Sequence, residues 1–157
     1  MKFLVTKDLA HSTLLGHLIL GVCIALFFYL GSDIVLHAYI LGDNLIALSN
    51  TLYGNVDEFI EPILLDSLLL QVHIDLFMSL FSIMILASIY IRLFSKRKIT
   101  KQLVHFLFIF GLAAPISLLI AYFTSVGLIY TWLVCFFFWH LLGLGMSLAI
   151  IKKLLFK

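Results

Sequence analysis

The sequence predicts an all-α membrane protein, a bundle of four transmembrane helices with short interfacial helices in its outer loop. Three observations predict this fold: the composition, four long apolar runs and the distribution of charge. The chain has 157 residues, of which 64% are hydrophobic and 11% are charged. A soluble domain is typically ~45–50% apolar and ~25% charged. A chain of this length could not hide so much apolar surface from water, so the lipid bilayer is its expected solvent.

Four apolar runs are each long enough to cross a bilayer. A helix needs ~20 mostly apolar residues to cross ~30 Å of hydrocarbon. The predicted spans are residues 12–31, 68–93, 103–123 and 128–151. They leave no room for a soluble domain, so we predict a single membrane domain over residues 1–157. The first run is longer than the apolar part of a usual signal peptide, and we expect it to be retained as a span.

The segment 32–67, between the first two spans, is predicted to form an outer cap. Residues 33–41 and 44–52 are apolar enough to lie against the membrane surface as short helices. Aspartates stand near the start of both segments and glycines follow them, which is typical of helix caps and stops.

The charges predict how the protein is oriented. All ten basic residues lie before span one, in the last turn of span two and the loop that follows it, or after span four. The stretch from Asp33 to Asp75 contains seven acidic residues and no lysine or arginine. Positively charged loops stay on the cytoplasmic side of a membrane. We therefore predict a multi-pass protein of the cytoplasmic (inner) membrane, with both termini in the cytoplasm and the cap outside.

Histidines inside the predicted spans are the main candidate site residues, and they are His17, His73, His105 and His140. An ionisable residue within a membrane is costly and by default indicates a functional site. Imidazoles on different helices can ligate b-type haem, whose apolar macrocycle fits between helices. His17 and His105 match in depth to within roughly 3 Å and form the better pair. His73 and His140 differ in depth by roughly 10 Å and form the second pair.

The leading functional hypothesis is therefore a small redox subunit that binds haem b and relays electrons between the quinone pool and a partner protein. It would be at most an electron-transfer subunit, because no nucleophile elbow, phosphate loop or dinucleotide fingerprint is present. The alternative is a cofactor-free structural or assembly subunit whose histidines are satisfied by packing or interfacial water. Expected partners are the lipid bilayer and other membrane subunits or a second copy of the chain. No nucleic-acid partner is expected.

Two further hypotheses use the carboxylates. Asp33 and His37 are four residues apart, so a helix would present both on one face. A carboxylate with an imidazole suits divalent metals such as zinc or iron, which makes this pair a candidate metal site. Gln71 and Asp75 also share one helical face, near the outer end of span two. The third functional hypothesis is accordingly a proton or ion carrier that uses Asp75.

Overall fold

The computed structural model describes residues 13–156, and its regular structure in this range is helical apart from an isolated bridge between Asn55 and Ile60. Four of the described helices are long and apolar enough to cross a membrane, and we call them the spanning helices. The predicted all-α class is confirmed, as are four long apolar helices. The helices are α1 (Thr13–Ile40), α2 (Leu45–Tyr53), α3 (Leu65–Leu93), α4 (Thr100–Phe123) and α5 (Gly127–Leu155). The predicted basic positions Lys2, Lys7 and Lys157 lie outside the described residues.

The spanning helices are longer than the apolar runs that predicted them. Helices α3 and α4 each begin three residues earlier than predicted, and α5 continues four residues further. Polar residues at these ends are compatible with the helical backbone and with the headgroup region of a bilayer. Hydropathy therefore identifies the apolar part of each helix but not the polar turns at its ends.

The predicted end of the first span at Gly31 is wrong, because α1 continues without a break to Ile40. Glycine and serine only weaken a helix interior, and the chain has no proline before Pro62 that would break it. The helix ends before Gly42, which has a φ of 113°. Residues 33–40 thus belong to a spanning helix rather than to a separate interfacial helix, and Asp33 and His37 lie inside the bundle.

The second predicted cap helix is confirmed as α2. Asn44, rather than Asp43, is its N-cap, and the Asn44 side chain accepts a hydrogen bond of 2.9 Å from the backbone N–H three residues later. Gly54 ends the helix with a φ of 79°. Leu48 and Leu52 are buried in the core at this end of the bundle. Helix α2 therefore covers the bundle end from which α3 starts.

Close helix packing depends on small residues. Helix α5 packs mainly against α4 and α1, and α3 packs against α4. A Cβ at Gly111 of α4 would lie 2.8 Å from Trp139 and 2.9 Å from Ile83. The missing side chain at Gly111 lets α4 approach its neighbours on α5 and α3.

The described bundle has two ends of opposite charge. The acidic end comprises the end of α1, the α2 cap and the start of α3, and all the described carboxylates lie between Asp33 and Asp75. The basic end comprises the end of α3, the loop to α4, the first turn of α4 and the end of α5. The described lysines and arginines lie there.

Candidate metal centre

Four ionisable side chains from three spanning helices converge in the bundle interior. They are Asp33 and His37 of α1, Asp75 of α3 and His140 of α5, and we call them the Asp–His cluster. The Nε2 atom of His37 lies 3.0 Å from Oδ2 of Asp75, and the Nε2 atom of His140 lies 3.0 Å from Oδ2 of Asp33. Both imidazoles are buried, and the two carboxylates are only 12–13% exposed.

The spacing along α1 fixes the orientation of His37. One turn separates His37 from Asp33, and its Nδ1 lies 2.9 Å from the backbone carbonyl oxygen of Asp33. A carbonyl oxygen only accepts hydrogen bonds, so Nδ1 carries the hydrogen and donates it. The same nitrogen lies 3.5 Å from the carboxylate oxygen Oδ1 of Asp33. Nε2 is therefore the nitrogen that faces Asp75, as second-shell bonds commonly arrange for ligating imidazoles.

His140 is held in the same way on α5. Its Nδ1 donates to the backbone carbonyl of Phe136 over 2.8 Å, which leaves Nε2 to face Asp33. An unprotonated imidazole nitrogen and a carboxylate oxygen are both acceptors. Each of the two Nε2–carboxylate contacts in the cluster thus requires a proton or another cation between its atoms.

Gln71 fixes the orientation of Asp75 from one turn away on α3. The Gln71 amide donates a hydrogen bond of 2.8 Å to Oδ1 of Asp75, and its nitrogen lies 3.5 Å from Nε2 of His37. The predicted common face of Gln71 and Asp75 is confirmed by this contact. Both carboxylate oxygens of Asp75 are therefore engaged.

Aromatic rings enclose the imidazoles. The Phe136 ring contacts both of them, with its centroid 4.8 Å from that of His37 and 4.1 Å from that of His140. The Trp132 centroid lies 6.3 Å from that of His37 and 5.1 Å from that of Phe136. A cavity of about 10 Å³ adjoins the cluster and is bordered by the hydroxyl-bearing residues Tyr29 and Ser79. This space is close to the size of one water molecule, and the two carboxylates of the cluster keep only a small exposed fraction.

The negative charge of the two carboxylates in the cluster has to be balanced. The sequence contains no lysine or arginine between Lys7 and Arg92, and the described ones lie at the basic end. Buried carboxylates are strongly disfavoured unless they are paired with positive charge or bind a metal ion. Protonated imidazoles, a bound cation or protonation of the carboxylates themselves must therefore balance the charge of Asp33 and Asp75.

Three members of the cluster have the arrangement of metal ligands. Asp33, His37 and Asp75 each offer one ligand atom, and these atoms all lie within 4.8 Å of one another. Ligand atoms bound to one zinc ion lie ~2.0–2.2 Å from it, so small side-chain movements would suffice to enclose an ion. His140 and Gln71 contact the two carboxylates and orient them, as the partners of metal ligands commonly do.

The structure gathers some of the predicted site residues and separates others. Asp33 and His37, the predicted metal ligands, lie together, and His140, a predicted haem ligand, contacts Asp33. The other predicted haem ligands, His17, His73 and His105, are exposed on α1, α3 and α4 and lie outside the cluster. The His105 ring donates to the backbone carbonyl one turn earlier, over 2.7 Å. Haem ligation by these residues stays a prediction.

Local sequence spacing identified the Asp33–His37 and Gln71–Asp75 pairs, but the contact between Asp33 and His140 had no signal in the sequence. The known proteins offer no guide to the role of the cluster. The chain matches no protein-family model, no curated protein and no solved structure.

Proposed function

We propose that this chain is a multi-pass membrane protein that binds a divalent transition-metal ion inside the bundle, through Asp33, His37 and Asp75. The observation that supports this proposal is the convergence of three potential ligand atoms within 4.8 Å in a part of the bundle without lysine or arginine. A divalent ion provides the positive charge that two buried carboxylates require. It also replaces the proton that the His37–Asp75 contact otherwise needs.

The donor atoms favour a particular class of ion. Carboxylate oxygens and an imidazole nitrogen suit zinc, iron(II) and manganese(II), whereas copper(I) prefers thiolates and thioethers. The ligand atoms of the Asp–His cluster are nitrogen and oxygen. We therefore infer a zinc-like or iron-like ion, with His37 contributing Nε2 because its Nδ1 is already bound to a backbone carbonyl.

The acidic end offers an approach for such an ion. Five exposed carboxylate residues surround this end, namely Asp43, Asp57, Glu58, Glu61 and Asp66. A surface of one charge sign raises the local concentration of oppositely charged ions. If the acidic end faces outward, as the charge distribution predicts, the ion enters from outside the cytoplasm.

Zinc binding by the purified full-length protein in detergent tests the proposal. We expect one zinc per chain by elemental analysis, and a loss of affinity of at least ~10–100-fold in the Asp75→Asn variant, measured by calorimetry. Asp66→Asn is the matched comparison, because it makes the same change on the same helix at an exposed residue that is not one of the three ligands. Asp66 belongs only to the surface that attracts the ion, so its loss of affinity should be much smaller. Failure of the wild-type protein to bind either added zinc or added iron(II), or equal losses in both variants, would contradict the proposal.

The haem hypothesis is a second candidate with a different test. His17, His73 and His105 lie on exposed faces of their helices, so a haem bound by these rings would face lipid or another subunit. If haem binds there, the predicted association with other membrane subunits or with a second copy would serve to cover it. A reduced-minus-oxidised absorption band that disappears in His105→Ala would support haem binding, and a colourless protein after haem loading would exclude it.

A further inference from the structure

A separate feature at the basic end is an open cavity bordered by cationic side chains. The cavity has a volume of about 790 Å³ and lies between the end of α3, the loop that follows it and the end of α5. Its cationic residues are Arg92, Lys96, Arg97, Lys152 and Lys153. Among the described residues no carboxylate lies nearby, since all of them lie between Asp33 and Asp75. The positive charge around this cavity therefore lacks a counter-charge from the described part of the chain.

The aromatic ring of Phe94 contacts two of these cations. The guanidinium carbon of Arg97 lies 4.8 Å from the centroid of the Phe94 ring, and the ammonium nitrogen of Lys153 lies 4.5 Å from it. The Lys153 ammonium group also donates to the backbone carbonyl of Leu93. Cations positioned over an aromatic ring are attracted by its electron-rich face. Two of the five cations around the cavity are thus positioned against the Phe94 ring.

An apolar groove continues from the cavity along the bundle surface. The groove has a volume of about 220 Å³ and is lined by Leu15 and Ile19 of α1 and by Ser88 and Ile89 of α3. It shares Arg92 and Leu93 with the basic cavity. The charged cavity and the apolar groove between α1 and α3 therefore adjoin each other at Arg92 and Leu93.

We propose that this two-part surface binds an anionic phospholipid, with the headgroup phosphate in the basic cavity and an acyl chain in the groove. The cations favour an anionic headgroup over a zwitterionic one, because each lysine or arginine attracts negative lipid charge. A free phosphate ion would fill only the cavity, whereas a phospholipid also uses the adjoining groove. This site lies at the opposite end of the bundle from the Asp–His cluster and does not depend on metal binding.

Native mass spectrometry of the full-length protein tests the headgroup part of the site. We expect wild-type protein to retain phosphatidylglycerol in preference to phosphatidylcholine with the same acyl chains. Arg97→Gln should reduce that preference about fivefold, the effect of one cation near an anionic surface. Lys98→Gln is the matched control, because Lys98 is the next residue and does not line the cavity. Equal retention of the two lipids, or equal effects of the two variants, would overturn the proposal.

A second pair of variants tests the groove and distinguishes a lipid from free phosphate. Ser88→Phe places a ring in the groove from an exposed position and should reduce phosphatidylglycerol retention. Ser67→Phe makes the same change at an exposed residue on the acidic end of α3 and should have no effect. Unchanged retention in Ser88→Phe, together with displacement of the lipid by millimolar inorganic phosphate, would show that the cavity binds phosphate and would overturn the lipid assignment.

Discussion

Among single residues, His140 is the one whose substitution best tests the proposed metal centre. Its Nδ1 is bound to the Phe136 carbonyl, and its Nε2 contacts the carboxylate of Asp33. His140 is not among the three residues whose ligand atoms converge. In the proposed site it therefore positions Asp33 and does not itself bind the ion.

Substitution of His140 should weaken zinc binding without abolishing it. We expect His140→Gln to lower the zinc affinity about 10–100-fold, the usual effect of losing a partner of a metal ligand, while saturation still gives one zinc per chain. Calorimetry at increasing zinc concentration measures both quantities. His73→Gln makes the same change at an exposed histidine and should leave both unchanged. A complete loss of zinc in His140→Gln would instead make His140 a ligand.

The candidate site was predictable from sequence only where its contacts are local. Asp33 with His37 and Gln71 with Asp75 are each one helical turn apart, so helical periodicity alone places them on common faces. The His37–Asp75 and Asp33–His140 contacts join residues 38 and 107 positions apart. Such contacts depend on which helices become neighbours, and one sequence does not contain that information.

At the scale of helices, the stability of the bundle depends on the close approach of α4 to α5 and α3 at Gly111. We expect Gly111→Val to lower the free energy of unfolding in detergent by about 1–3 kcal/mol, because the added side chain would overlap Trp139 and Ile83. A lower thermal midpoint measures the effect. Gly145→Val is the control, since a Cβ at Gly145 meets nothing within 4 Å. Equal midpoints for the two variants would contradict tight packing at Gly111.

The four spans could be predicted because hydrophobic length is a strong and local signal. The end of α1 could not be predicted in this way, and the reason lies in residues 31–40. Gly31, Ser32 and Asp33 are typical of a helix end in water, but the apolar residues after them keep α1 helical to Ile40. Asp33 is tolerated inside the bundle because His140 approaches it from α5, a partner that hydropathy does not reveal.

In the molecule as a whole, the separation of charge predicts a single orientation in the membrane. We expect a membrane-impermeant maleimide to label Glu58→Cys in intact cells and to leave Ser95→Cys unlabelled, because positive loops remain in the cytoplasm. Both variants are made in a chain lacking Cys23 and Cys135, which are buried. Permeabilised cells, in which both positions should react, provide the control. Labelling of Ser95→Cys alone in intact cells would reverse the orientation.

The contact between Asp33 and His140 also has a consequence for biosynthesis. Asp33 is synthesised 107 residues before His140, so α1 can reach the translocon before α5 is complete. During that interval the nascent helix has a carboxylate without its later partner, and the membrane disfavours its charged form. Insertion of the last helix completes the pairing. A correctly closed cluster therefore marks a chain whose assembly is finished.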